Sequence, residues 1–159
     1  MLVRETISWS DGITLVVNET QLLRFITGGR TLSDSEIFNR LVDRAFIPYT
    51  QDITVINWPQ ARPRPDEPVT RAGAAWFVWH LFAESRGDRG LLTRYSARFA
   101  TGANPRSPIA DIPPLSPFFD SILGCVETEF MSLPDGRNFH PAQLIRGAEL
   151  LAILRRIDN

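Results

Sequence analysis

Five stretches of this chain repeat apolar residues at the three-to-four spacing of a helix face. Ser33 and Glu36 stand three apart, as in a capping box, ahead of Ile37, Phe38, Leu41, Val42 and Ala45. Thr70 caps a run in which Ala72, Ala75, Trp76, Trp79, Phe82 and Ala83 recur at helical spacing, and its aromatics place this helix at the centre of the core. Ser116 and Pro117 open another through Phe118, Phe119, Ile122, Leu123 and Val126, with proline tolerated in the first turn. The last spans about 142–157 and buries Leu150, Ile153, Leu154 and Ile157. A shorter one is capped by Asn18, with Gln21 at the capping-box position, carries Phe25 and Ile26, and stops at Gly28 and Gly29.

Elsewhere the pattern changes. Thr6 to Trp9 and Ile13 to Val17 alternate apolar and polar about Ser10, Asp11 and Gly12, which predicts a short hairpin with Asp-Gly in its turn, a loop being the competing reading. From Pro48 to Pro68 the chain is extended, with a short strand at Ile53 to Ile56 and polyproline-like backbone around Pro59, Pro63, Pro65 and Pro68. Leu91 to Phe99 supplies one more short helix before an irregular stretch from Thr101 to Pro114. The expected architecture is mainly α, with long proline-containing loops and a small N-terminal β-hairpin, in a single domain over 1–159.

Composition narrows the function classes. A chain of 159 residues buries about two-thirds of its unfolded surface, enough for one sizeable core. A net charge of -1 gives no global attraction to nucleic acid. All 17 basic residues are Arg, which reflects a high-GC genome first and a preference for bidentate anion recognition second. Cys125 is the only cysteine, so no intrachain disulfide forms, and its apolar surroundings predict a buried thiol. No apolar stretch is long enough to cross a bilayer, and residues 1–17 lack the features of a secretory signal.

Catalytic constellations do not assemble from the spacing. His80 and His140 lie in no metal-ligand pattern with each other or with Cys125. No nucleophile elbow, phosphate-cradling loop or dinucleotide turn is present. The carboxylates of Asp66 and Glu67, and of Glu127 and Glu129, diverge on helix or strand and read as solvated charge. The chain is expected to be no enzyme and to need no metal or cofactor.

One instruction occurs twice: a proline-containing polar loop followed by an Arg entering an amphipathic helix. The first copy runs Pro65-Asp66-Glu67-Pro68-Val69-Thr70-Arg71-Ala72, and the second runs from Pro134-Asp135-Gly136 through Phe139 and Pro141 to Arg146. Together with Asp111-Ile112-Pro113, Ser116-Pro117-Phe118-Phe119, Ile122 and the helix ending Leu154-Arg155-Arg156-Ile157, the second copy resembles an S-layer homology module. In the first copy, Ile37 to Phe46 resembles the leading helix of that family, and Thr70-Arg71-Ala72 its Thr-Arg-Ala signature. A third half-copy resembles the same unit at the N-terminus, giving repeats at about 6–29, 33–84 and 108–158.

The resemblance implies a pseudo-threefold bundle with one central helix per repeat, and a non-catalytic module that holds an acidic cell-envelope polysaccharide, often through a pyruvyl carboxylate. It implies Arg71 and Arg146 as ligand-binding residues, with Thr70 assisting at the first site and Trp58 as a stacking surface for sugar. A guanidinium at a helix N-terminus suits that task, because its fork and the backbone donors both favour an anion. The competing reading pairs each Arg with a carboxylate such as Asp66 or Asp135, tying repeats together. The chain departs from the family where Gly73 replaces the acidic residue after Thr-Arg-Ala. It departs again where Ile145 replaces the signature Thr, where Glu149 lies further along its helix, and where Glu129, Phe130 and Met131 replace a Gly-rich turn.

Two functions follow. The first is the envelope-anchoring module, placed at the bacterial cell envelope or outside the cell. The second is a structural adaptor or decoration subunit of a bacteriophage or other multiprotein particle, docking protein subunits through loops that carry Ile53, Val55, Ile56 and Trp58.

Overall fold

The computed structural model describes residues 5–158, and among these the regular structure is almost entirely helical. The helices are α1 (Trp9–Glu19), α2 (Arg24–Thr27), α3 (Asp34–Asp43), α4 (Arg71–Arg86), α5 (Ser96–Phe99), α6 (Phe119–Glu127) and α7 (Gly147–Asp158). Extended pairing among the described residues is confined to three isolated antiparallel bridges.

The N-terminal segment corrects the expected hairpin. Ser8 Oγ accepts the Asp11 amide at 3.1 Å, and an Asp11 carboxylate oxygen accepts the Ser8 amide at 3.1 Å. This reciprocal box satisfies two donors that a helix start leaves open, so Asp11-Gly12 lies inside α1 instead of in a turn. Trp9, Ile13 and Val16 are then buried, and α1 packs on α3 and α7. Asn18 consequently falls in the last turn of α1 and caps nothing, and α2 shrinks to four residues after Leu23.

Helices with strong local signals appear where expected. Ser33 and Glu36 form their capping box ahead of α3, and Thr70 Oγ accepts the Gly73 amide at 3.0 Å to start α4. Between Leu91 and Phe99 the chain makes a 3-10 turn over Arg89–Leu92 and then the separate α5. Residues Ile53 to Ile56 form turns where a strand was expected: Asp52 accepts the Thr54 amide at 3.0 Å and its hydroxyl at 2.7 Å, which curls the backbone locally. Ser116 lies outside α6, with its hydroxyl accepting the Phe118 amide and donating to the Ile53 carbonyl.

Helix α7 starts at Gly147, five residues later than its apolar pattern suggests, because residues 141–143 turn and residues 144–146 are extended, with Leu144 and Arg146 paired. That pairing forms a joint from which three helices depart. Trp9, Arg71 and Gly147 are the first residues of α1, α4 and α7. Their amides donate in a closed ring: Trp9 to the Glu67 carbonyl at 3.1 Å, Arg71 to Gln143 at 2.7 Å and Gly147 to Glu5 at 3.0 Å. Two steps earlier in each segment, Ile7, Val69 and Ile145 are at most 2% exposed, with Val69 donating to Ile7 and Ile145 to Val69. Bridges Thr6 to Arg146, Ser8 to Pro68 and Thr70 to Leu144 complete the joint.

Helix α4 is the central element, packing on α6 and α7. Its contact with α6 is close enough that a Cβ on Gly124 would overlap the Trp79 indole. Trp79 and Phe77 are each 1% exposed, and one hydrophobic cluster runs from Ile7 to Ile157. No described helix is long and apolar enough to cross a membrane.

Candidate binding site

The joint fixes a register among its three segments. Ser8, Thr70 and Arg146 immediately precede the helices, Trp9, Arg71 and Gly147 open them, and Asp11, Gly73 and Glu149 stand at the third helical position. Arg146 therefore matches Thr70, and Gly147 matches Arg71. The sequence had placed Arg146 beside Arg71 as a second signature arginine; its register is one residue earlier. Glu149 likewise stands at the acidic position in this register and is not displaced along the helix.

Arg71 is turned inward, with its side chain 5% exposed. Its Nε donates to the Phe139 carbonyl at 2.8 Å, one terminal nitrogen to the Ser132 carbonyl at 2.6 Å, and the other to Glu149 at 3.3 Å. The guanidinium also lies 4.5 Å from the centroid of the Phe139 ring. Burial pushes its pKa below the ordinary arginine value, and the Glu149 carboxylate, followed by Asp111, opposes this. The partner carboxylate is thus neither Asp66, which pairs with Arg64 at 3.5 Å, nor Asp135, which accepts the Arg137 and Asn138 amides. Arg71 clamps the loop before α7 to the start of α4.

Thr70 is equally committed. Its hydroxyl accepts the Gly73 amide and lies 3.0 Å from Gln51 Oε1, which also accepts the Thr70 amide at 2.8 Å. Gln51 Nε2 donates to the Pro68 carbonyl at 2.9 Å. A Cβ on Gly73 would overlap the Gln51 amide. The missing acidic residue at position 73 is therefore replaced in space: Gln51 supplies the oxygen that Asp11 supplies to Ser8 in α1. No spacing rule reveals this, because the residue comes from a different loop.

Arg146 has an exposed side chain and, among the described residues, no hydrogen-bonding or ion-pair partner for its guanidinium. Trp58 lies away from the joint: it stacks on Tyr49 at 5.3 Å and 25°, and meets Trp76 at 5.3 Å and 53°. It closes an aromatic row that continues through Trp76 to His80 at 4.4 Å. Of the four residues proposed from sequence, the joint gathers Thr70, Arg71 and Arg146, and Trp58 flanks α4 separately.

Beside the Arg71 and Glu149 pair lies a recess of about 250 Å³ lined by Glu129, Phe130, Ser132, Glu149, Ile153 and Arg156, among others. Arg156 donates to the Glu129 carbonyl at 2.6 Å and covers the Phe130 ring. Two carboxylates facing one shared recess suit hydroxyl donors better than a second anion. Among the described residues, no three His, Cys, Asp or Glu side chains gather as a metal centre requires. Cys125 is fully buried, and desolvation pushes its thiol well above the ordinary value, so it stays protonated. No family model, curated protein or solved structure matches this chain.

Proposed function

We propose that this chain is a non-catalytic binding module of S-layer homology type that holds an acidic bacterial cell-envelope polysaccharide. The observation that carries the reading is the closed ring of amide bonds from Trp9, Arg71 and Gly147, from which α1, α4 and α7 depart in one register. Such a ring is in keeping with a pseudo-threefold bundle of three degenerate repeats, and the segments at 7, 69 and 145 fall one in each of the repeats expected from sequence. The turns after α3 and α6 agree with this, since Ala45 and Glu129 take the same left-handed conformation, with φ of 65° and 63°. On this reading Arg71 and Glu149 hold the repeats together, and the exposed Arg146 meets the acidic group of the glycan at the rim of the joint. Thr70 acts as the helix cap, and Trp58 offers its remaining ring surface to sugar.

Binding of purified acidic wall polysaccharide, measured by calorimetry on folded protein, tests the reading. Arg146→Ala is expected to weaken binding at least fivefold without loss of stability. Unchanged affinity removes Arg146 from the site.

A second reading has an observation of its own. Ile56 and Leu115 are 68% and 61% exposed and flank a small apolar cleft with Ile53 and Pro113. Exposed apolar side chains on two adjoining loops suit protein contact, as in an adaptor subunit of a bacteriophage or other particle. Stoichiometric co-purification with particle subunits, lost in Ile56→Asp, would favour the adaptor; glycan affinity in a monodisperse monomer would favour the envelope module.

A further inference from the structure

A cavity of about 240 Å³ lies between the end of α1, α2, the Gly28-Gly29 loop and the start of α3, on residues that neither the joint nor its recess uses. Its walls combine three kinds of chemistry. Leu23 and Ile37, 3% and 1% exposed, supply an apolar floor. Arg24 and Arg30 line it with exposed guanidinium groups that have no ion pair, hydrogen bond or aromatic partner among the described residues. Thr31 and the Gln21 side chain add polar groups without internal partners among the described residues, and Thr27 Oγ, which accepts the Gly29 amide, keeps its proton to donate.

Among the described residues no carboxylate lines this cavity; Asp158, which adjoins its wall, is engaged in accepting the Gln21 amide at 3.2 Å. Arg62, Arg94 and Arg155 each sit within 3.4 Å of a carboxylate and Arg40 caps the Ile26 carbonyl; Arg89, Arg106 and Arg137 also lack side-chain partners among the described residues, and what sets Arg24 and Arg30 apart is that they line one cavity together. Two unneutralised guanidinium groups at one concave site favour an anion, and their planar forks match a carboxylate in two hydrogen bonds. An apolar floor beside hydroxyl and amide groups matches a pyranose, whose C–H face is apolar and whose edge is hydroxylated. The volume suits one sugar ring.

We infer that the cavity bounded by Arg24, Arg30, Thr31 and the Leu23–Ile37 floor binds a single carboxylate-bearing sugar residue. This rests on the acidic-glycan reading above and places a second contact for that ligand at the far end of α1 from the joint. Arg24 and Arg30 hold the carboxylate, Thr27, Thr31 and Gln21 contact ring hydroxyls, and the apolar floor takes the ring face. A single residue bound this way is weak, with a Kd of about 1 mM, and gains affinity in a polymer that also reaches Arg146.

Amide NMR titration with D-glucuronate, with D-glucose and inorganic phosphate as controls, tests the site in the full chain. Glucuronate is expected to shift amides within residues 20–32 saturably, and Arg24→Ala/Arg30→Ala to weaken that binding at least tenfold with the spectrum otherwise preserved. Equal shifts from glucose or phosphate, shifts confined to other residues, or an unchanged double variant would overturn it. The same proteins tested on acidic wall polysaccharide separate the two claims. If wild type binds and the double variant binds equally, this site fails and the envelope reading stands; if wild type binds neither probe, both fail.

Discussion

At position 73 a glycine stands where a helix start normally gains from an acidic side chain, and the gap is filled from 22 residues upstream by Gln51. This predicts strong coupling. Gln51→Ala should cost about 1–2 kcal/mol by leaving the Thr70 amide without its acceptor, and Gly73→Glu alone should cost about 1 kcal/mol through overlap with Gln51. The double variant restores a capping box within the helix and should be more stable than the sum of the two by at least ~1 kcal/mol in urea denaturation. Strict additivity would contradict the exchange. Arg71→Ala should destabilise by about 3 kcal/mol, because it strands the Phe139 and Ser132 carbonyls and removes a buried charge from Glu149. Denaturation should therefore report that variant before any binding assay does.

His80 gives a pH dependence at the same scale. Burial against Trp76 and Phe46 lowers its pKa to about 4 from an ordinary 6.5, although its bond to the Trp76 carbonyl opposes the shift. The native state thus keeps the ring neutral where the unfolded chain protonates it. Stability should be unaffected above about pH 6.5, fall as pH drops from there towards 4, and change no further on this account below 4. The full loss is on the order of 3 kcal/mol. Urea midpoints from pH 7.5 to 4.5 should show this slope in wild type and a smaller one in His80→Gln.

The elements divide by where their signals lie. Helices α3 and α4 were legible because Ser33, Glu36 and Thr70 sit within one turn of the apolar faces they cap. Helix α1 was misread because Asp11-Gly12 is a strong turn signal, and Ser8 with Asp11 was a stronger cap one step earlier. The start of α7 was hidden because residues 142–146 continue its helical periodicity, yet Leu144 and Arg146 pair with Thr70 and Thr6, residues distant in sequence. Legibility at the site followed the same division. The place of Thr70 and Arg71 at a helix start was legible from their local motif, whereas the buried clamp that Arg71 forms was not, because Gln51, Ser132 and Phe139 come in through contacts across the fold. Packing between elements is close where Trp79 of α4 lies on Gly124 of α6. Gly124→Ala should cost about 1–3 kcal/mol in thermal or urea unfolding, since the indole is buried and has little room to move. A neutral Gly124→Ala would mean that α4 and α6 are less closely packed than this.

At the scale of the molecule, the ring of bonds at Trp9, Arg71 and Gly147 makes three distant segments one cooperative joint, and it orients α1, α4 and α7 together. The register also shows how the three helix starts differ. Where α4 opens with a buried arginine, α1 opens with the buried Trp9 and α7 with Gly147, so one polar clamp remains among three positions. In the function proposed above, binding falls to three arginines without internal partners among the described residues, Arg146 at the joint and Arg24 and Arg30 at the far end of α1. The measurement that tests this most directly is calorimetry of the wild-type chain with purified acidic wall polysaccharide, native and after chemical reduction of its carboxylates. The account predicts saturable binding to the native polymer that weakens at least tenfold after reduction. No binding to the native polymer, or equal binding to both, would contradict it.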